Sequence, residues 1–142
     1  MEEAFSVTEQ DRARMRTYGL EPERLRGCSV RTYYFGEQVI TEGQPIGHIF
    51  LVTDGKAKVG TMAPNGKNLI LCFYICRGML GDLELCSDTS LGNATVTALT
   101  KFRCVAVPIE SNKDYLFGNL AFIKTAAFEL SKKLRYHTEG IV

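Results

Sequence analysis

Residues 48–62 read HIFLVTDGKAKVGTM, two runs rich in β-branched and apolar residues that meet at Asp54-Gly55. Such runs favour strands and an Asp-Gly pair favours a tight turn, so the segment predicts two antiparallel strands. Similar turn signals stand at Glu42-Gly43, Asn65-Gly66 and Gly78, so one recurs every 11 or 12 residues. This rhythm is typical of short antiparallel strands in a sandwich or barrel.

The strand pattern extends in both directions from this segment. It begins with RTYYF at residue 31, includes LILCFYIC at 69–76 and NATVTALT at 93–100, and ends with FRCVAVP at Pro108. Asn65-Gly66 predicts a two-residue type I′ hairpin. We therefore expect a mainly β protein with flanking helices, whose jelly-roll-like β-roll has about eight strands over residues 31–107.

Helical segments flank the predicted β-roll. The first twenty residues predict a polar surface helix, capped either by Ser6 with Glu9 or by Thr8. After Pro108, ESNKDYLF predicts a short helix and a long one follows. The expected division is a helical segment at 1–28, the β-roll at 29–109, and the short and long helices at 110–142.

The long helix carries a heptad pattern that predicts an interface. Leu116, Leu120, Ile123, Ala127, Leu130, Leu134, His137 and Ile141 follow each other at alternating spacings of four and three. A second stripe, Phe117, Ala121 and Phe128, lies on another face. Docking on the β-roll would cover one stripe only, so we favour a parallel homodimer. Its interface residues would be Leu120, Ile123, Ala127, Leu130 and Leu134.

The composition sets limits on partners and location. The chain has 142 residues, 45% hydrophobic and 23% charged, with a net charge of +1. This balance fits one globular domain and gives no general attraction to nucleic acid or membranes. The longest apolar run, residues 69–76, is too short to span a bilayer. The charged N-terminus has no apolar signal segment, so we expect a cytoplasmic location and no membrane partner.

Cysteines and histidines give little support for a metal or redox centre. The cysteines at 28, 72, 76, 86 and 104 are odd in number, which favours free, buried thiols in a reducing compartment. Cys72 and Cys76 would lie ~13 Å apart on a strand, too far for one zinc ion or one disulfide. His48 and His137 are distant in sequence, so no metal site and no enzyme is expected. A redox role for a thiol, and a cupin-like metal enzyme, remain alternatives.

An ordered set of motifs resembles the cyclic-nucleotide-binding domain of the CRP/FNR regulators. The set comprises FGEQVI at 35–40 with Glu42-Gly43, IFLV at 49–52 with Asp54-Gly55, NGK at 65–67, and GDL at 81–83 before the strand that contains Ala94–Ala98. The chain is most similar to the YeiL-type branch, through VTDGKA at 52–57, GDLEL at 81–85 and CVAVP at 104–108.

The resemblance implies a double-stranded β-helix that acts as the sensor half of a transcription regulator, with residues 29–109 as the sensor domain. In full-length members the long helix forms the homodimer and leads into a winged helix-turn-helix that binds DNA. That domain is absent from this chain, so DNA contact is expected only through it. The iron–sulfur mechanism of the FNR branch is poorly supported, because Cys28 is the only cysteine before residue 72.

The segment GDLELCSDTSLGNATVTA, residues 81–98, resembles the family's phosphate-binding cassette. In members that bind cyclic AMP, an Arg and backbone N–H groups neutralise the phosphate, and a Glu binds the ribose. Here Asp82 stands at the Glu position, and the Arg position falls at Gly92 or Asn93. Between Arg77 and Lys101 there is no Lys or Arg, whereas Asp82, Glu84 and Asp88 are acidic.

These substitutions predict a degenerate cassette to which cyclic AMP does not bind tightly, since its acids would repel a phosphate. Its candidate ligand-binding residues are Gly81, Asp82, Leu83, Gly92, Asn93 and Ala94. They could hold a different small effector, uncharged or cationic, or could serve only turns and caps. No cofactor is expected, and a dimerisation module without any ligand remains an alternative.

Overall fold

The computed structural model describes residues 1–87 and 89–139, and the side chains within these ranges up to residue 135. The strands are β1 Glu2–Ala4, β2 Ser29–Tyr33, β3 Gln38–Ile40, β4 His48–Asp54, β5 Ala57–Met62, β6 Leu69–Ile75, β7 Gly78–Leu80, β8 Thr95–Ala98 and β9 Phe102–Pro108. The helices are α1 Glu9–Thr17, α2 Asp82–Cys86, α3 Lys113–Phe117 and α4 Leu120–Glu139. Short 3-10 turns cover Pro22–Arg24 and Glu110–Asn112.

The strands form two antiparallel sheets, as the turn rhythm predicted. One sheet has the order β1-β2-β9-β4-β7 and the other the order β3-β8-β5-β6. Strands far apart in sequence are neighbours, and β9 lies between β2 and β4. This is the jelly-roll arrangement, so the predicted fold class is confirmed.

Alternation along the strands separates two hydrophobic cores. On β9, Phe102, Cys104 and Ala106 point into the space between the sheets. Val105 and Val107 belong to the second core, between the five-stranded sheet and the helices. Because successive side chains of a strand point to opposite faces, one sequence run stabilises both layers.

The N-terminal segment differs from the predicted helix. Residues Glu2–Ala4 form β1, which pairs with β2, and Glu3 accepts hydrogen bonds from Ser29 Oγ at 2.6 Å and Arg31 Nε at 2.9 Å. The helix starts later, and Thr8 caps it in a reciprocal pair with Asp11. The alternative cap of Ser6 with Glu9 is therefore wrong. A three-residue strand that depends on distant partners leaves little local signal.

The hairpin between β5 and β6 also differs from the prediction. Pairing stops at Met62 and Leu69, so the loop is six residues long, and Asn65 does not have the positive φ that a type I′ turn requires. Gly66 N–H donates to Ala63 O at 2.8 Å, and Gly66 has a φ of +72°. Pro64 at the second position of this turn explains the change, since its fixed φ suits a type I turn.

Helix α4 docks through a face that neither predicted stripe describes. Phe122, Ala126 and Glu129 are buried against the β-roll. Leu120 and Leu134 are 73% and 70% exposed, Ala127 is exposed, and Ile123 and Leu130 are half-buried. The second stripe is exposed at Phe117, Ala121 and Phe128, so docking on the β-roll does not cover it. The heptad face stays a predicted dimer interface, and the side chain of His137 and residue Ile141 lie outside the described parts.

Candidate ligand-binding cavity

A cavity of about 370 Å³ lies where the four-stranded sheet, α2 and α4 meet. Its walls are mostly aliphatic and aromatic, with contributions from Ile40, Val59, Phe73, Leu80, Val96 and Leu130. Five of the six predicted cassette residues line it, namely Gly81, Asp82, Leu83, Asn93 and Ala94. The structure thus brings the two ends of the cassette together, with α4 along one side.

Gly81 fixes the backbone at the entrance to α2. Its φ is +89°, and a Cβ there would lie 2.9 Å from the carbonyl oxygen of His48, so only glycine fits. The chain then turns into the five-residue α2, where Leu83 N–H donates to Asp82 Oδ1 at 3.0 Å. That donor of the helix start is therefore used within the protein.

Lys133 of α4 supplies the cation that the cassette lacks. Its ammonium donates to Asp82 Oδ1 and to the carbonyl oxygen of Met79. Asp82 is only 1% exposed, and within the described residues its Oδ2 accepts no hydrogen bond. Burial raises the pKa of Asp82, while the Lys133 charge acts in the opposite direction. Asp82, the residue that the resemblance aligns with the ribose-binding Glu, is thus held in an internal ion pair that connects α4 to the cassette.

Glu84 has a second internal contact across the cassette. Its Oε2 accepts from Asn93 N–H at 2.8 Å and from Asn93 Nδ2 at 3.3 Å. Glu84 is 8% exposed, and it also lines a second, more polar cavity on the other side of α2. A protein carboxylate therefore already accepts the backbone N–H of Asn93.

Gly92, the sixth predicted residue, is not part of the cavity wall. A Cβ at this position would lie 2.7 Å from the carbonyl oxygen of Thr41 and 2.9 Å from Ile40 Cγ2. Its own N–H and carbonyl pair with Gln44 and Gly43. Gly92 therefore stays a predicted ligand-binding residue that does not line this cavity, and of the two possible Arg positions only Asn93 lines it. Asp88, the third acid, lies outside the described residues.

The sequence reasoning missed Lys133, although a signal for it exists. Phe122, Ala126, Glu129 and Lys133 follow each other at spacings of four, three and four. They therefore share one helix face, which is the face docked on the β-roll. Lys133 lies 51 residues from Asp82 in the sequence, so its place beside the cassette depends on the fold.

The thiols and histidines do not form a second centre in the described residues. No group of three or more His, Cys, Asp or Glu side chains there is arranged to hold a metal ion. Burial raises the pKa of Cys28 to about 11 and that of Cys104 to about 12. Cys76 and Cys86 are exposed, so the expectation of five buried thiols is wrong for these two. Cys72 lines the cavity, and His48 Nε2 lies 3.3 Å from Arg31 Nη2.

Comparison with known proteins agrees with this geometry. The family model of the cyclic nucleotide-binding domain matches residues 30–128. This range includes the whole cassette and both sheets apart from β1. The chain belongs to the cyclic nucleotide-binding domain family. The resemblance derived from the ordered motifs is thereby confirmed.

Relatives of this cyclic nucleotide-binding domain include two curated regulators. It is 24% identical over 121 residues to the CRP-like cAMP-activated global transcriptional regulator of Mycobacterium tuberculosis, covering 82% of this chain and 54% of that protein. It is 25% identical over 108 residues to the regulatory protein YeiL of Escherichia coli O157:H7, covering 75% of this chain and 49% of YeiL. The chain therefore spans about half the length of the curated relatives it matches.

A solved structure with the same fold is the sensor domain of the transcriptional regulator DNR from Pseudomonas aeruginosa. The TM-score is 0.66 at 18% identity, and the match covers 93% of this chain and 94% of that one. In the described part of this cyclic nucleotide-binding domain, no helix is long and apolar enough to cross a membrane.

Proposed function

We propose that this domain is the effector-sensing and dimerisation part of a CRP/FNR-type, YeiL-like transcription regulator whose cassette does not take cyclic AMP. The single observation that carries the proposal is the Lys133–Asp82 ion pair in the cassette. DNA binding would belong to a domain outside this chain. The role is regulatory, as in the relatives, and involves no catalysis.

The electrostatics of the cavity argue against a cyclic phosphate. The wall carries Asp82 and Glu84, and the one cation among the described residues of the wall, Lys133, already pairs with Asp82. The N–H of Asn93 already binds Glu84. A phosphate would have to break one of these pairs and give up its water in a mostly apolar cavity, which is costly without a free countercharge.

Calorimetric titration with cyclic AMP tests this part of the proposal. We expect no submicromolar binding by the wild type. Asn93→Arg combined with Asp82→Glu places an Arg on the cavity wall and keeps Lys133 as the cation for residue 82. A charge-assisted contact of ~1.5–3 kcal/mol would raise the affinity of the variant about tenfold to hundredfold.

A matched variant and one clear result make the titration decisive. Gly92→Arg with the same Asp82→Glu change should give no gain, because its side chain would start 2.7 Å from the Thr41 carbonyl oxygen. Submicromolar binding of cyclic AMP by the wild type would overturn the proposal, since it would require a cation that the described cavity does not offer.

The dimer is the second part of the proposal and rests on the exposed heptad face of α4. Leu120 is 73% exposed, so Leu120→Asp should leave the fold intact and convert a dimer to a monomer in analytical ultracentrifugation. Phe128 is 60% exposed on the other stripe, so Phe128→Asp is the matched control and should stay dimeric. A wild-type monomer, or a dimer that persists in Leu120→Asp, would contradict this assignment.

A further inference from the structure

Building on the proposed function, we propose that the cavity binds a small apolar amine in its ammonium form, with Glu84 as the charge partner. This goes beyond the degenerate cassette by naming the chemical class of the effector. Three features of the cavity carry the inference, namely its apolar body, its net charge and the geometry of Glu84.

The body of the cavity selects an apolar ligand of limited size. Its wall is almost entirely apolar and includes Ile40, Val59, Phe73, Val96 and Leu130. A volume of about 370 Å³ accommodates on the order of ten to fifteen non-hydrogen atoms at ordinary packing density. A ligand that covers such walls gains from leaving water, so an aliphatic or aromatic body fits better than a sugar or nucleotide.

The charged end of the cavity selects a cation. The described charged groups on the wall are Asp82, Glu84 and Lys133. Lys133 bonds Asp82, which leaves the negative charge of Glu84 without a cationic partner in the described structure. An ammonium would neutralise this charge, whereas a carboxylate or phosphate would be repelled by it.

The geometry of Glu84 places an acceptor in reach of such a cation. Asn93 holds Oε2 through two hydrogen bonds, which fixes the carboxylate. Glu84 lines this cavity and has no cationic partner among the described residues. At the same end of the cavity, Asp82 Oδ2 is buried and accepts no hydrogen bond from the described residues. This end of the cavity therefore offers a hydrogen-bond acceptor without a donor. An ammonium group, with three N–H donors, would supply one.

A probe series with one common body tests the inference. Calorimetry would compare 3-phenylpropylamine, 3-phenylpropanol and 3-phenylpropanoate at neutral pH, with cyclic AMP titrated into the same protein. We expect the amine to bind at least about tenfold more tightly than the alcohol and the carboxylate to bind weakest. Equal affinities, a tighter alcohol or carboxylate, or no binding of the amine would each overturn the inference.

Glu84→Gln separates the charge from the shape of the site. The amide oxygen can still accept from Asn93, so the variant should fold and should bind the alcohol as the wild type does. Its affinity for the amine should fall about tenfold, and unchanged amine binding would overturn the role of Glu84. Glu110→Gln is the matched control, because Glu110 is exposed and lies outside this cavity.

Alkylation of thiols locates the probe independently of affinity. Cys72 lines the cavity, whereas Cys86 is exposed and does not. The amine should slow iodoacetamide modification of Cys72 and leave that of Cys86 unchanged, and protection of neither thiol would contradict binding here. Tight cyclic AMP binding would overturn the proposed function itself, whereas failure of the amine alone would leave that function standing.

Discussion

Asp11 and Asp82 are both buried, at 3% and 1% exposure, and each pairs with a cation far away in the sequence. Asp11 binds Arg103 at the junction of α1 and the five-stranded sheet, and Asp82 binds Lys133 in the cavity. Both Asp11 oxygens accept hydrogen bonds, two from the guanidinium at 2.8 Å each and one from Thr8 N–H at 3.0 Å. At Asp82, Oδ1 alone accepts hydrogen bonds from the described residues.

This difference moves the two pKa values in opposite directions. The guanidinium hydrogen bonds lower the pKa of Asp11 to about 2, against the effect of burial. Burial raises the pKa of Asp82 despite Lys133. A bidentate Arg in a fully bonded site stabilises the carboxylate, whereas a single ammonium leaves an oxygen without a donor. The first pair attaches the N-terminal helix to the five-stranded sheet, and the second attaches α4 to the cassette.

The largest effect is expected from Asp11→Asn, which removes the fully bonded carboxylate. It leaves Arg103 without its anion and weakens the cap of α1, so the free energy of unfolding should fall by about 2–4 kcal/mol. Urea unfolding measures this. Glu9→Gln, whose exposed side chain lies 3.6 Å from Arg12, should cost less than about 0.5 kcal/mol. A loss below about 1 kcal/mol for Asp11→Asn would remove the contrast between the two sites.

The acid dependence of stability is the next largest effect. The folded pKa of Asp11 lies below its ordinary value of 3.8, at about 2. Its contribution, about 2 kcal/mol, is therefore complete above pH 4 and is lost as the pH falls toward 2. Asp82 acts in the opposite sense, because its raised pKa lets the folded state take up a proton first. That contribution adds stability as the pH falls from neutral toward 3.8.

Urea unfolding at a series of pH values separates these two contributions. The difference in unfolding free energy between wild type and Asp11→Asn should shrink between pH 4 and pH 2. For Asp82→Asn the difference should change above pH 4 instead. The same acid profile for both variants would show that the two carboxylates share one environment.

A smaller effect is expected from Lys133→Met, which leaves Asp82 buried without its cation. The cost should be about 1–2 kcal/mol, because Asp82 can protonate and the methionine extends the apolar wall. Lys132→Met is the matched control, since Lys132 lies next in sequence and pairs with Glu129 from a more exposed position. A cost for Lys133→Met above that of Asp11→Asn would reverse the ranking of the two sites.

The sequence predicted features that depend on local signals. Turn pairs, strand alternation and the motif order were sufficient to predict the β-roll. They were also sufficient to locate the cassette, which contains α2. Local signals failed where the decisive neighbour was distant. The pairing of Glu3 with Arg31 and the crowding of Gly92 by Thr41 are properties of the folded backbone.

The cavity shows the same limit most clearly. The sequence has no Lys or Arg between Arg77 and Lys101. The cation that pairs with Asp82 comes instead from α4. Lys133 lies beside heptad positions, so its helix face was difficult to recognise from periodicity alone. The Lys133–Asp82 and Arg103–Asp11 contacts join residues that are 51 and 92 positions apart, so they can be identified only from the folded structure.

The most direct test is a pH titration of the Asp11 and Asp82 side-chain carboxyl carbons by carbon-detected NMR, in wild type and Lys133→Met. We expect Asp11 to titrate near 2 in both proteins. Asp82 should titrate above its ordinary value of 3.8 in the wild type and higher still without Lys133. A wild-type Asp82 that titrates below 3.8 would contradict the dominance of burial over the Lys133 charge, and an Asp82 that does not respond to Lys133→Met would contradict the assignment of Lys133 as its cation.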